Sequence, residues 1–150
     1  MQKEMRPIVL AAILMAASPA LAQPHPQSKM KVHHVVIQID QDDPAIMNLA
    51  LNNADNMNKF YEDKGEKVEI EFVAFGAGLA MMRSDKSPVK DRLAAMSQHG
   101  VVFSGCGNTK ANQSKAENQT ITLLPGTREV ATGVVRITEL EEQGWTYLRP

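Results

Sequence analysis

Short β-branched apolar runs alternate with segments of helical periodicity, and that alternation constrains the fold of this chain more than any other feature. Residues 33–40 form a largely apolar run of the kind expected of a strand covered on both faces. Gln41-Asp42-Asp43 turns the chain, and Pro44 behind an aspartate cap opens a helix. Ile46, Leu49, Ala50, Met57, Phe60 and Tyr61 recur at helical spacing and predict its buried face. Asn53 falls on the same face and, as a buried amide, is expected to bind a loop carbonyl. Lys64-Gly65 ends the helix. A second strand is predicted from Lys67 to Phe75, alternating charged and apolar residues at first and ending in Gly76-Ala77-Gly78. Ser87-Pro88 caps a further helix with Val89, Leu93 and Met96 inward, and Gly100 closes it before a third strand at Val101. The fourth strand is either Thr120 to Leu124 or Thr127 to Ala131, on the two sides of a Pro125-Gly126 turn. Val134 to Glu142 reads as a helix with Val134, Ile137 and Leu140 toward the core, and Trp145 to Leu148 as a final short strand. Strands alternating with helices predict an α/β fold with a parallel sheet and helices on both faces.

The first residues are not expected to belong to that fold. Lys3 and Arg6 precede an apolar run from Pro7 to Ala17, and Ala20-Leu21-Ala22 follows as a small-x-small site. These three parts make a signal peptide over residues 1–22, with cleavage near Ala22-Gln23 and an exported product. The apolar run is too short for a comfortable span, which needs about 20 residues. Residues 23–32, with Pro24 and Pro26, read as a flexible leader, and 33–150 as one domain. Without Lys3, Glu4 and Arg6 the chain keeps 14 basic and 16 acidic residues, a net charge of −2. It holds no long basic run, so nucleic-acid binding has no electrostatic support, and no later segment approaches membrane length.

Cys106 is the only cysteine. An exported chain with one cysteine cannot form an internal disulfide, so the thiol is buried, paired with another chain, or used. One cysteine also excludes a Cys-rich zinc site and a C-x-x-C motif, and no cofactor is called for. The residue stands in Val101-Val-Phe-Ser-Gly-Cys-Gly-Asn-Thr109, an apolar run ending in a Gly-Cys-Gly turn, with Asn108 and Thr109 as candidate helix caps. Unpaired N–H groups at a helix start favour an anion and lower a thiol pKa. Gly105 and Gly107 permit close approach of a ligand and leave room for a second sulfur. The carboxyl edge of a parallel sheet is where ligands bind, and it gathers Asp40 to Asp43, Gly76, Gly78, Arg83 and Gly105 to Thr109. Gly76-x-Gly78 is a weak echo of a phosphate loop and reads better as a close backbone turn. Met81 and Met82 read as packing. Asp40, Asp42 and Asp43 suit a helix start better than a cation site. Arg83 and Lys110 are candidates to add positive charge near the thiol, although each reads better as a solvated surface cation. His33, His34 and His99 lie at strand starts, on the edge opposite Cys106, so no imidazole of the same chain is expected to partner it. The thiol is expected to be partly exposed with a depressed pKa.

The chain resembles the small DsrE/DsrF-like sulfur-relay proteins, in particular an exported, signal-peptide-bearing branch of them. The resemblance rests on the strand-helix start from His33 to Asn56, on Val73-Ala-Phe-Gly-Ala-Gly78, on Ser87-Pro-Val-Lys-Asp91, on Phe103-Ser-Gly-Cys-Gly-Asn-Thr109, and on Gly133-Val-Val-Arg-Ile137 with Gln143-Gly-Trp145. It implies a three-layer α/β/α sandwich with a five-stranded parallel sheet of order resembling 4-3-2-1-5. It implies homo-oligomers or assemblies with sister subunits. It also implies a persulfide on a cysteine after the third strand, where Cys106 stands. The expected function is a periplasmic carrier of sulfane sulfur, at most a sulfurtransferase-like protein, whose partners are small sulfur species or a donor or acceptor protein. Two other readings stay open. In one, Gly76, Gly78, Arg83, Gly105, Gly107, Asn108 and Thr109 bind a small ligand without covalent chemistry. In the other, the chain is an assembly subunit with a deeply buried cysteine.

Overall fold

The computed structural model describes residues 30–150; the expected signal peptide and most of the expected leader lie outside the described residues. Five strands form one parallel sheet: β1 (Val32–Ile39), β2 (Lys67–Ala74), β3 (Val102–Cys106), β4 (Thr127–Val130) and β5 (Thr146–Leu148), in spatial order β4-β3-β2-β1-β5. The connections carry helices α1 (Pro44–Glu62), α2 (Lys90–Gln98), α3 (Gly107–Ala116) and α4 (Gly133–Glu142), with a 3₁₀ segment over Gly76–Met82. The α/β class is that expected from the sequence pattern, and the strand order is the one the family resemblance implies.

The two faces of the sheet are unequal because β2 alternates residue by residue. Val68, Ile70, Phe72 and Ala74 point into the large core, where they meet Val35, Ile37 and Ile39 of β1, Met47, Ala50, Leu51 and Ala54 of α1, the 3₁₀ methionines, and Leu93 and Met96 of α2. Phe72 and Phe103, paired in register, stack with ring centroids 5.1 Å apart, a geometry that adds about 1 kcal/mol beyond burial. On the opposite face only Val36, Val73, Ile137 and Leu140 make a buried apolar cluster, with Phe75 and Trp145 at its margin. Glu71 lies on that thin face and is buried.

Asp43 caps α1, accepting from the N–H groups of Ala45 and Ile46 at 2.7 and 3.4 Å, with Pro44 in the first turn. The acidic cluster is thus a helix start, as expected. The buried stripe of α1 is rotated from the expected one: Met47, Leu51 and Ala54 are inside, while Leu49 and Phe60 are exposed. Several stripes fit a 3.6-residue period on so apolar a helix, and the sheet selects one. Asn53 is only half-buried and makes no side-chain hydrogen bond among the described residues, so it is not the loop anchor expected. Val134 is likewise exposed, because α4 meets the sheet through Gly133, Ile137 and Leu140. Ser87-Pro88 precedes α2 without capping it. The Ser87 hydroxyl donates to the Met81 carbonyl at 2.5 Å and the helix begins two residues after Pro88.

The fourth strand is the segment after the Pro125-Gly126 turn. Thr120 to Leu124 runs antiparallel to the end of the 3₁₀ segment instead, through Ser84 N–H to Thr122 carbonyl at 2.9 Å and Leu124 N–H to Met82 carbonyl at 2.8 Å.

Gly78 packs its backbone against the end of β1. A Cβ there would stand 2.3 Å from the Ile39 carbonyl oxygen, and that atom cannot yield without moving β1. Gly100 needs its own identity for another reason, a φ of +89° with nothing within 4 Å of the Cβ position. Gly78→Ala is expected to cost about 3 kcal/mol and Gly100→Ala about 1 kcal/mol. Urea unfolding of both variants checks the order, and equal losses would contradict the contact at Gly78.

Candidate functional site

Cys106 is the last residue of β3 and also the cap of α3, with φ −70° and ψ 116°. No turn separates strand from helix, so the expected caps, Asn108 and Thr109, are already inside the first helical turn. A cap side chain must accept from the unpaired N–H groups of that turn, and here the acceptor is sulfur. The Thr109 N–H donates to Sγ at 3.4 Å.

Side chains alternate along β3, so Val101, Phe103 and Gly105 face the large core while Ser104 and Cys106 face the thin side that carries α4. The sulfur therefore meets α4 as well. Burial raises the thiol pKa, but the Thr109 hydroxyl and the N–H groups of Thr109, Gly133 and Asn108 favour the thiolate, and the net shift is downward. Gly133 opens α4, so the starts of two helices lie beside one thiol, and the Thr109 N–H is the donor bonded to it. Two helix dipoles act there in the same sense.

Two expectations about this cysteine are corrected. Cys106 is buried, 4% exposed, and not partly exposed. The flanking glycines do not leave space, because a Cβ at Gly105 would stand 2.9 Å from Leu123 Cδ1 and one at Gly107 would stand 2.9 Å from Glu129 Oε1. Both positions are small because neighbouring side chains fill them. Cys106 lines none of the main clefts of the described surface, which measure about 350 to 440 Å³. One of about 440 Å³ opens at the amino edge of the sheet, among Glu62, Glu66, Met96 and His99.

The other residues marked in the sequence divide into two groups. Thr109 and Gly76 belong with Cys106: the Gly76 N–H donates to Thr109 Oγ1 at 3.0 Å, and Gln113 Nε2 donates back to the Gly76 carbonyl at 3.0 Å. Asn108 donates from its N–H to the Ala131 carbonyl at 3.2 Å and from Nδ2 to Thr132 Oγ1 at 3.1 Å. Gly78 belongs to the packing of the sheet edge. Arg83 is 1% exposed and its guanidinium is fully engaged, by Glu117 at 2.6 and 2.7 Å, Asp85 at 2.7 and 3.0 Å and Gln113 at 3.1 Å. It bolts α3 to the end of the 3₁₀ segment. Lys110 pairs with Glu129 at 2.5 Å. His33 pairs with Glu66 at 2.7 Å and stacks on Tyr61, and His34 faces Glu69 and Trp145. His99 ends α2 and lines the clefts of the amino edge. No described imidazole bonds the sulfur, in agreement with the expected layout. Among the described residues no group of His, Cys, Asp or Glu could hold a metal ion, and no helix is long and apolar enough to cross a membrane.

One set of residues near this site went unmarked in the sequence. Glu71, 1% exposed, accepts from Arg136 Nε at 2.9 Å and Nη2 at 2.8 Å and from the Ser104 hydroxyl at 2.7 Å, with Arg128 Nη2 at 3.5 Å. Burial would raise the carboxyl pKa, but Arg136, Ser104 and Arg128 together hold it below the usual range. Arg136 lies three residues beyond Gly133, so the pair fixes the start of α4 against Cys106. A glutamate at an inward position of a strand was the available signal.

The Arg83 cluster sets a pH dependence. Arg83 and Lys86 hold the Glu117 carboxyl down to about 2 from an ordinary 4.5. A depressed folded-state pKa contributes stability that is complete above the unfolded value and is lost as the pH falls toward the folded one. Glu117→Gln is therefore expected to be less stable than wild type above pH 4.5, with the gap closing between about 4.5 and about 2. Urea midpoints across that window test it, and a constant gap would contradict the ion pair.

No known family model matches the chain, and no curated protein sequence is detectably similar to it. Among solved structures it is similar to MTH1491, a protein of unknown function from Methanobacterium thermoautotrophicum, with 31% identity and a TM-score of 0.67. The similarity covers 79% of this chain and 99% of that one. Identity at that level over essentially the whole of the other chain means that this protein belongs to the same family as MTH1491.

Proposed function

We propose that the protein is an exported sulfur carrier of the DsrE/DsrF type, which takes up sulfane sulfur on Cys106 and hands it on. The observation that carries this reading is the hydrogen bond from the Thr109 N–H to Sγ at 3.4 Å, beside the starts of α3 and α4, with the thiol pKa lowered despite burial. A thiolate is the nucleophile in such chemistry. It attacks the outer sulfur of a donor persulfide, R–S–SH. A new S–S bond forms at Cys106 as the donor's S–S bond breaks, and RS⁻ leaves with the electron pair. Release to an acceptor thiolate is the same exchange in reverse, needing no metal, cofactor or net redox change. The leader over residues 1–22 supports export to a periplasmic setting. Exposed Leu49, Phe60, Val134 and Val135 support assembly with further copies of the chain.

A second reading has its own observation. The burial of Cys106 favours a subunit in which the cysteine is only a helix cap and the chain serves assembly. Two measurements separate the readings. The alkylation midpoint of wild type is expected below the free-thiol value of about 8.5. Incubation with polysulfide is expected to add sulfur reversibly to wild type and not to Cys106→Ser, as read by intact mass. A midpoint at or above that of a free thiol, with no thiol-reversible gain of mass, leaves the assembly subunit as the function.

A further inference from the structure

We infer that the link between β4 and α4, Ala131-Thr132, is a latched cover over Cys106, and that the thiol reacts only when this link lifts. The purpose of such a cover rests on the sulfur-carrier reading; its geometry does not. A side chain that is 4% exposed cannot meet a reagent in the closed form. What lies over it is given by the chain path. Sheet register sets Val130 beside Cys106, and the Ala131 carbonyl accepts from the Asn108 N–H at 3.2 Å, so the link leaving β4 passes across the start of α3, next to the sulfur.

On the α3 side Asn108 supplies both ties, its N–H to the Ala131 carbonyl and its Nδ2 to Thr132 Oγ1, while on the α4 side the Thr132 carbonyl accepts from the Arg136 N–H at 3.0 Å. Ala131 and Asn108 are exposed, Thr132 is half-buried, and β4 has no buried residue. The segment therefore loses little apolar contact on lifting, which places it at the low-stability end of local opening. The helix beyond it is fixed. Ile137 and Leu140 are buried, and Arg136 is clamped on Glu71. Motion is thereby confined to the link, and α4 stays in place to receive it again.

The test is the rate of iodoacetamide alkylation of Cys106 in the folded chain, set against the urea-unfolded chain at the same pH. Wild type is expected to react far more slowly folded than unfolded. Thr132→Val and Asn108→Ala each remove the side-chain tie and are expected to speed the folded reaction roughly five- to tenfold. Their alkylation midpoints stay at the wild-type pH, because the N–H groups on the sulfur are backbone. Arg92→Ala removes ties of similar kind between α2 and α1, far from the link, from Arg92 to Asn48 and Asp55. It is expected to keep the wild-type rate, and urea unfolding of all three variants places them on one stability scale. A folded thiol that reacts at the unfolded rate overturns the cover. So do latch variants no faster than wild type, or an acceleration by Arg92→Ala equal to theirs at equal loss of stability. Loss of sulfur uptake with the latch effect intact overturns the sulfur carrier and leaves the cover standing.

Discussion

A carboxylate buried on the thin face of the sheet has to be matched by cations and hydrogen-bond donors, and much of the site follows from how Glu71 is matched. Desolvation alone would push it toward the neutral form. Arg136 answers with a bidentate pair, Ser104 with its hydroxyl, and Arg128 at longer range. Few apolar residues hold α4 to this face, so the ion pair supplies the direction that packing does not. A bidentate guanidinium–carboxylate contact has a definite geometry, and it sets the rotation and depth of α4. Gly133, three residues before Arg136, is thereby set at the start of α4 near Cys106, where its N–H favours the thiolate. A Cβ at that position would crowd Phe75, whose Cβ and Cδ1 would stand 3.0 Å from it.

The large face works differently. There α1, the 3₁₀ segment and α2 are held by apolar side chains, and polar ties appear only at the edges. The Arg83 cluster is one such edge. It has an almost fully buried guanidinium among partly exposed carboxylates, so the carboxylates keep much of their hydration while the arginine is neutralised. Its effect is to seat α3, which has no buried residue and no apolar reason to lie where it does. Seating α3 brings the Thr109 N–H to the sulfur from one side, and seating α4 brings Gly133 from the other. Each helix is placed by an arginine, one buried against Glu117 and Asp85, one clamped on Glu71.

Residues close in sequence to Cys106 were read correctly as its neighbours, because a strand followed at once by a helix start is a local pattern. Of the three residues whose N–H groups favour the thiolate, two, Asn108 and Thr109, are supplied by sequence adjacency alone. Gly133 was not legible there, since it approaches through the sheet from 27 positions away. Arg83 was misplaced for a related reason. Its type suggested a cation for the thiolate, whereas Glu117, 34 positions on, takes it. Leu49 and Val134 show the same limit for packing: helical periodicity names several stripes, and only the partner surface chooses one.

The sequence by itself determined the class of fold, the alternation of its elements and the position of Cys106 at the carboxyl edge. These depend on residue period, turn chemistry and the handedness of parallel crossovers, all local or generic constraints. The tertiary structure decided how closed that edge is, which glycines are packed and not open, and which donors meet the sulfur. Those outcomes depend on pairs distant in the chain, Glu71 with Arg136, Arg83 with Glu117, and Asn108 with Thr132. Distance between such pairs is settled only when the sheet brings them together.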